Sequence, residues 1–130
     1  MRTILILDDD RVFRRLLVDA LQKRGHRVLE AGRAAEADLL LSSEQPDLLL
    51  VDGLLPDTTG VEWIKKLRGA GRATPVLFVT SFWKSMRDFE IVTRTLGATQ
   101  LLRKTALPKE IAHRVDSLLG IPGPKSVEQK

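Results

Sequence analysis

One stretch of the sequence constrains the fold more than any other: four consecutive apolar residues that end at an acidic one. Leu48–Val51 are all aliphatic, and Asp52 follows them directly. An unbroken aliphatic run of this length is typical of a strand covered on both faces, as in a parallel sheet. Asp52 is not expected to be core filler, because an unpaired buried carboxylate is costly. Ligands bind beyond the carboxyl ends of strands in open α/β sheets, so the pattern predicts that Asp52 lies in a functional site.

The rest of the chain alternates between short apolar strands and amphipathic helices. The predicted strands cover residues 3–7, 26–30, 48–51, 75–79 and 99–102. The predicted helices cover about 11–24, 33–43, 61–68, 85–96 and 107–119. The apolar spacing predicts one apolar face on each helix. In the first helix this face holds Val12, Phe13, Leu16, Leu17, Ala20 and Leu21, in the second Ala35, Leu39 and Leu40 point towards the sheet, and in the last Leu107, Ile111, Val115 and Leu118 point inward. This alternation favours an α/β fold with a parallel sheet and helices on both of its faces.

The composition narrows the class of protein. The chain has 130 residues, the size of one domain, and we expect that domain to cover 1–120 and a flexible tail or linker to cover 121–130. The absence of cysteine excludes disulfides and thiolate metal sites. No apolar run approaches the ~20 residues of a membrane span, so we expect a cytoplasmic location. The net charge of +4 without a strong basic run favours a solvated surface over direct nucleic-acid binding.

Polar side chains collect where the predicted strands end. Strand one is followed by Asp8, Asp9 and Asp10, strand three by Asp52, strand four by Thr80 and Ser81, and strand five by Lys104. In a parallel sheet all of these lie at one edge. Two ionised acids about 4 Å apart repel by roughly 4 kcal/mol at an effective dielectric near 20, so such a cluster favours a divalent cation. An all-oxygen donor set points to Mg²⁺ or Mn²⁺.

A hydroxyl and a lysine beside these acids would complete a cradle for a phosphoryl group, and a carboxylate can itself be the nucleophile. Each residue also has a simpler explanation. The acids after strand one can cap a helix, Thr80 can cap the next one, and Lys104 can be a surface lysine. Their joint placement at one edge of the sheet favours a site.

In this order and at this spacing, these residues resemble the receiver domain of two-component response regulators over residues 2–120. The resemblance rests on the acidic cluster, on Asp52 with the segment 54–60, on Thr80, on Gly97-Ala98 and on Lys104. It implies a flavodoxin-like, doubly wound (βα)5 sandwich with a parallel sheet in the strand order 2-1-3-4-5.

The resemblance also implies a role for the acids. Asp52 would accept a phosphoryl group from a sensor histidine kinase or a phosphotransfer protein. Mg²⁺, or Mn²⁺, would be bound by Asp9, Asp52 and the backbone carbonyl of Leu54, and Asp8 would contribute through water. The chain would act as a phosphoacceptor switch and not as an enzyme.

The resemblance also implies roles for two further residues once the phosphoryl group is in place. Lys104 would pair with the phosphoryl oxygens, and Thr80 would move its hydroxyl onto the phosphate. The movement would reshape the face formed by the predicted helix at 85–96, the strand at 99–102 and the helix at 107–119. An output protein or domain, or a second copy of the chain, would dock there.

The sequence departs from the family pattern near this predicted output face. Leu101 stands where an aromatic residue is common, and Thr105 stands where a proline usually follows the lysine. These changes put the aromatic movement, the local turn and the position of the lysine in question. Phe82 and Trp83 are large apolar residues that either pack on the following helix or form an output surface.

Two positions that tune water attack on the phosphate in this family are apolar here. They are Leu54, two residues after Asp52, and Phe82, two residues after Thr80. Neither side chain can orient or activate water, so we expect slow self-dephosphorylation.

Two other functions fit parts of the pattern. Asp8-Asp9-Asp10 after a strand resembles the DxD motif of haloacid-dehalogenase-type phosphatases, with Asp8 as nucleophile, although the chain is short for that fold and Asp52 would be unexplained. A phosphorylation-independent interaction module with the receiver fold would account for Leu101 and Thr105.

Overall fold

A computed structural model describes residues 2–80, 94 and 100–121 of the chain. The strands are β1 Thr3–Leu7, β2 Arg27–Ala31, β3 Leu48–Val51, β4 Val76–Thr80 and β5 Gln100–Arg103. The described helices are α1 Arg11–Gln22, α2 Ala34–Leu41, α3 Gly60–Gly69 and α4 Pro108–Leu118. The strands form one parallel sheet in the order β2-β1-β3-β4-β5, which confirms the predicted fold class and strand order. The predicted helix at 85–96 lies outside the described residues.

Strand β3 occupies the middle of the sheet and is buried on both faces. Leu48 and Leu50 pack into the core layer that contains residues of α1 and α4, and Leu49 and Val51 pack into the layer that contains residues of α2 and α3. None of the four is more than 2% exposed. Burying a leucine or valine side chain stabilises the fold by about 1.5–3 kcal/mol. The chain therefore leaves β3 at a well-fixed point, and the next residue is Asp52.

The predicted helix faces are wrong at several positions. In α1, Val12 and Leu16 are 72% and 48% exposed, whereas Leu17 and Leu21 of the same predicted face are buried, as is Val18. An i, i+4 apolar spacing marks a stripe on a helix but does not say whether that stripe meets the sheet.

The same applies to the second and last helices. Leu39 is 74% exposed, because α2 turns Ala34, Ala37 and Leu41 inward instead. Leu107 is 53% exposed, because it stands at the N-cap position of α4 and precedes the helical spacing. Within the described chain, no helix is long and apolar enough to cross a bilayer.

A polar cluster with a buried acid and a buried imidazole lies at the end of the sheet opposite Asp52, near the start of β2. The Asp116 carboxylate of α4 accepts a hydrogen bond from the Arg24 guanidinium at 2.7 Å, and its second oxygen lies 2.5 Å from Nε2 of His26. Asp116 is 5% exposed and His26 is 7% exposed. The three residues join the turn after α1 to the C-terminal part of α4, and nothing in the local sequence pattern predicts this contact.

We expect Asp116→Ala to destabilise the protein by about 1–3 kcal/mol, because it leaves the buried imidazole of His26 without its carboxylate partner. Urea unfolding followed by circular dichroism measures the change. Asp19→Ala, which removes an exposed carboxylate of α1, is the matched control and should change stability by less than about 0.5 kcal/mol. Equal effects of the two variants would contradict the role assigned to this cluster.

Candidate functional site

The strand ends bring the predicted site residues together at one edge of the sheet. Leu7 pairs with Val51 across β1 and β3, so the residues that follow them, Asp8 and Asp52, leave the sheet side by side. The edge holds a cavity of about 330 Å³, whose lining includes Asp9, Asp10, Asp52, Leu54, Leu55, Pro56, Thr80 and Lys104.

Three carboxylates converge at this edge of the sheet. Oxygen atoms of Asp8, Asp9 and Asp52 all lie within 4.8 Å of one another. Asp8 and Asp52 are 2% and 7% exposed, whereas Asp9 is open to solvent. The third acid of the run, Asp10, has a different role, because it caps α1 by accepting a hydrogen bond from the backbone N–H of Phe13 at 3.0 Å. Helix capping, one of the two roles that the sequence suggested for these acids, is thus confirmed for Asp10.

Lys104 is the cation at the centre of this cluster. Its Nζ lies 2.9 Å from Oδ2 of Asp8, 3.2 Å from Oδ2 of Asp52 and 4.8 Å from the centre of the Phe13 ring. Its backbone N–H donates to the Thr80 carbonyl at 3.0 Å, which ties the end of β5 to the end of β4. The lysine reaches both acids although Thr105 follows it and the described peptide bonds are all trans.

Burial and charge shift the pKa values of this cluster. Burial raises the pKa of Asp8, and the hydrogen bond from Lys104 offsets this only in part. Burial would lower the pKa of Lys104, but the hydrogen bond and charge of Asp8, together with the charge of Asp52, outweigh it and raise that pKa. Lys104 is therefore held in its charged form, and one ammonium has to serve several carboxylates.

The donor set fits a hard divalent cation. It consists of oxygen atoms alone, and one of the three acids, Asp9, is exposed. Mg²⁺ prefers oxygen ligands and keeps several waters, so a site with few protein ligands and an open side suits it. Leu54 lines the same cavity, which places its backbone near the acids.

Thr80 is the last residue of β4 and is 3% exposed, and it lines the cavity beside Lys104. Leu101 of β5 pairs with Phe78 and is half-buried against the core layer that contains residues of α3. Leu101 thus fills part of the core at the position where the family often has an aromatic residue. Phe82 and Trp83 lie outside the described residues.

Gly60 fixes the backbone behind Asp52. A Cβ atom at this position would lie 2.4 Å from the Asp52 carbonyl oxygen and 3.1 Å from side-chain atoms of Phe78 and Val51. The Gly60 N–H donates to the Gly53 carbonyl at 2.9 Å and closes the base of the loop between β3 and α3. The sequence shows a glycine at the end of this loop, but its close approach to Asp52 depends on the packing of α3.

We expect Gly60→Ala to cost about 1–3 kcal/mol, because the added carbon forces the backbone of α3 away from Asp52. Urea unfolding measures this loss. Gly69→Ala, at the last residue of the same helix, meets nothing within 4 Å and is the matched control. It should be neutral or stabilise the protein by up to about 1 kcal/mol, because alanine favours helix more than glycine does. A Gly60→Ala protein as stable as the Gly69→Ala protein would contradict this account.

Comparison with known proteins gives a consistent result. The chain matches the family model of the response regulator receiver domain over residues 4–116. It is 30% identical over 127 residues to the phosphate regulon transcriptional regulatory protein PhoB of Pseudomonas aeruginosa, covering 98% of this chain and 56% of that protein. It is 31% identical over 118 residues to the alkaline phosphatase synthesis transcriptional regulatory protein PhoP of Bacillus subtilis, covering 91% of this chain and 48% of that protein. The chain therefore spans about half the length of these relatives.

A solved structure agrees with this assignment. The structure of a CheY-like response regulator receiver domain protein from Methanospirillum hungatei superimposes with a TM-score of 0.83 at 25% identity, covering 92% of this chain and 94% of that one. The family match covers most of the chain, and the sheet order and the strand-end acids are those expected from the resemblance. The chain belongs to the receiver domains of two-component response regulators.

Proposed function

We propose that Asp52 accepts a phosphoryl group from the phosphohistidine of a sensor kinase or phosphotransfer protein, and that this modification changes the affinity of the domain for an output partner. The observation that carries the proposal is the convergence of three carboxylates, one lysine and one buried threonine at one edge of the sheet. The transcriptional regulatory proteins among the relatives support an output in the control of transcription.

In the proposed reaction, a carboxylate oxygen of Asp52 attacks the phosphorus atom. The new P–O bond forms as the P–N bond to the donor histidine breaks, and the imidazole nitrogen leaves with the electron pair. Lys104 lies 3.2 Å from the Asp52 carboxylate and is positioned to pair with an oxygen of the incoming group. Its ammonium is already held in place by Asp8, so little reorganisation is needed.

Asp9, Asp52 and the backbone carbonyl of Leu54 would hold Mg²⁺, or Mn²⁺, and Asp8 would act through water. When bound, the cation supplies positive charge that offsets the mutual repulsion of the carboxylates and of the phosphoryl oxygens. The acids of the chain would bind and orient this cation.

Thr80 would report the modification. It stands at the end of β4, where its hydroxyl can hydrogen-bond a phosphoryl oxygen on Asp52. Its carbonyl is bonded to the Lys104 N–H, so β4 and β5 would respond together. We propose that the resulting change is presented on the face of β5 and α4 to an output protein or domain or to a second copy of the chain.

The direct test is incubation with acetyl phosphate and Mg²⁺, followed by mass spectrometry of the intact protein and of its peptides. We expect one added phosphoryl group on Asp52, and none in an Asp52→Asn variant or in the presence of a chelator. Label on Asp8 with continuous turnover would favour the phosphatase alternative. Absence of label, and of any change in tryptophan fluorescence on adding the donor and Mg²⁺, would favour a phosphorylation-independent interaction module, for which Leu101 and Thr105 are the arguments.

We also expect the phosphorylated state to be long-lived. Leu54 is 49% exposed and lines the cavity, and it has no group that can orient a water molecule toward phosphorus. Leu54→Asn combined with Phe82→Glu should shorten the half-life of the phosphorylated protein severalfold, measured by loss of the added mass after removal of the donor. Leu39→Asn, at an exposed leucine of α2, is the control. An unchanged half-life in the double variant would contradict this explanation.

A further inference from the structure

We propose that Asp57 is a positioning residue of the phosphorylation site, which ties the loop that carries Leu54 to the N-terminus of α2 and so holds the Leu54 carbonyl in place for the divalent cation. The inference rests on the proposed function of Asp52 and its metal site. Nothing in the pattern of the sequence around Asp57 indicates this contact, because its partners precede it by more than twenty residues.

The contact itself is specific. One oxygen of Asp57 accepts the backbone N–H of Ala34 at 3.0 Å, and the other accepts the N–H of Ala35 at 3.1 Å. Arg33, at the N-cap position of α2, makes no side-chain cap hydrogen bond, and its Nε lies 3.7 Å from the Asp57 carboxylate. Free N–H groups at a helix start need acceptors and favour negative charge. Asp57 therefore does for α2 what Asp10 does locally for α1.

The loop between β3 and α3 is held at two places. At its base, Gly60 bonds to Gly53, and Leu54 forms an antiparallel bridge with Thr59. Farther out, the Leu55 N–H donates to the Thr58 carbonyl at 3.0 Å, and Asp57 fastens this turn to α2. The bridge to Thr59 holds Leu54 itself, and the Asp57 contact fixes the turn at residues 55–58 that follows it. The backbone is thus held on both sides of the Leu54 carbonyl, which is the condition for a preorganised ligand.

Charge contributes to this fastening. The hydrogen bond from Ala34, followed by that from Ala35 and the charge of Arg33, holds the pKa of the Asp57 carboxyl below its ordinary value. The group is therefore ionised at neutral pH, and both of its oxygens act as acceptors. An asparagine at this position would offer one acceptor oxygen and no charge, so it should restore only part of the contact.

The experiment compares Asp57→Ala and Asp57→Asn with a matched control, Asp47→Ala. Asp47 is also an exposed aspartate that accepts a backbone N–H, from Thr3 at 2.8 Å, but it lies at the start of β3, at the opposite end of the strand from Asp52. Calorimetric titration with MgCl₂ gives the cation affinity, and the acetyl phosphate reaction at a series of Mg²⁺ concentrations gives the rate. Thermal unfolding without Mg²⁺ gives the stability of each variant.

We expect Asp57→Ala to weaken Mg²⁺ binding by about tenfold, in line with other residues that orient metal ligands. The phosphorylation rate of this variant should return to the wild-type value at saturating Mg²⁺, since Asp57 touches none of the reacting atoms. The Mg²⁺ affinity of Asp57→Asn should fall between those of the wild type and Asp57→Ala. This variant also keeps the test possible if Asp57→Ala does not fold. Asp47→Ala should lower stability but leave Mg²⁺ affinity unchanged.

The outcomes separate this proposal from the one on which it rests. If the wild type binds Mg²⁺ and is phosphorylated, and both Asp57 variants bind Mg²⁺ equally well, then Asp57 is a helix cap only and the positioning role is overturned. If the wild type itself binds no Mg²⁺, the proposed metal site fails and the positioning role fails with it. A loss of affinity in the Asp47 variant as large as that in the Asp57 variants would also overturn the proposal, because it would reflect stability alone.

Discussion

The structure depends on an imbalance of charge at one edge of its sheet. Three carboxylates meet there, two of them buried, and among the described side chains Lys104 is the cation that contacts both buried acids. Burying acids without full compensation costs stability that the aliphatic layers on both faces of β3 have to supply. If the acids had no function, replacing them with apolar residues would make the fold more stable. The same imbalance makes the edge receptive to a small, highly charged cation and to the phosphoryl chemistry that such a cation assists.

Much of the fold could be predicted from the sequence because its signals are local. The aliphatic run of β3 and the acids directly after β1 and β3 depend on neighbouring residues, and parallel pairing then brings Asp8 and Asp52 together. Prediction from the sequence failed where a contact is remote or a choice between faces is needed. Asp57 on Ala34 and Asp116 on His26 join distant segments. Val12 and Leu16 belong to the predicted apolar face of α1 but are exposed, whereas Leu17 and Leu21 of that face are buried.

The two departures from the family pattern differ in their structural consequence. Thr105 leaves the lysine in contact with both acids, so the first step of the proposed reaction has its groups in place. Leu101 is packed into the core layer opposite Phe78 and offers no hydroxyl. Coupling between the phosphate and the output face would therefore rely on Thr80 and on the bond between its carbonyl and Lys104, more than on the swing of a ring.

The close approach of Gly60 to Asp52 limits which neighbours of Asp52 can move. On that side of the acceptor stands main chain, packed so tightly that one extra carbon would lie 2.4 Å from the Asp52 carbonyl oxygen. Backbone atoms, unlike side chains, cannot change rotamer to make room for a new group. On the other side stand a lysine and a threonine, whose side chains can turn. The backbone of Asp52 therefore cannot shift toward α3, so an adjustment to the phosphoryl group proposed on its side chain would have to come from other neighbours, such as the side chains of Lys104 and Thr80.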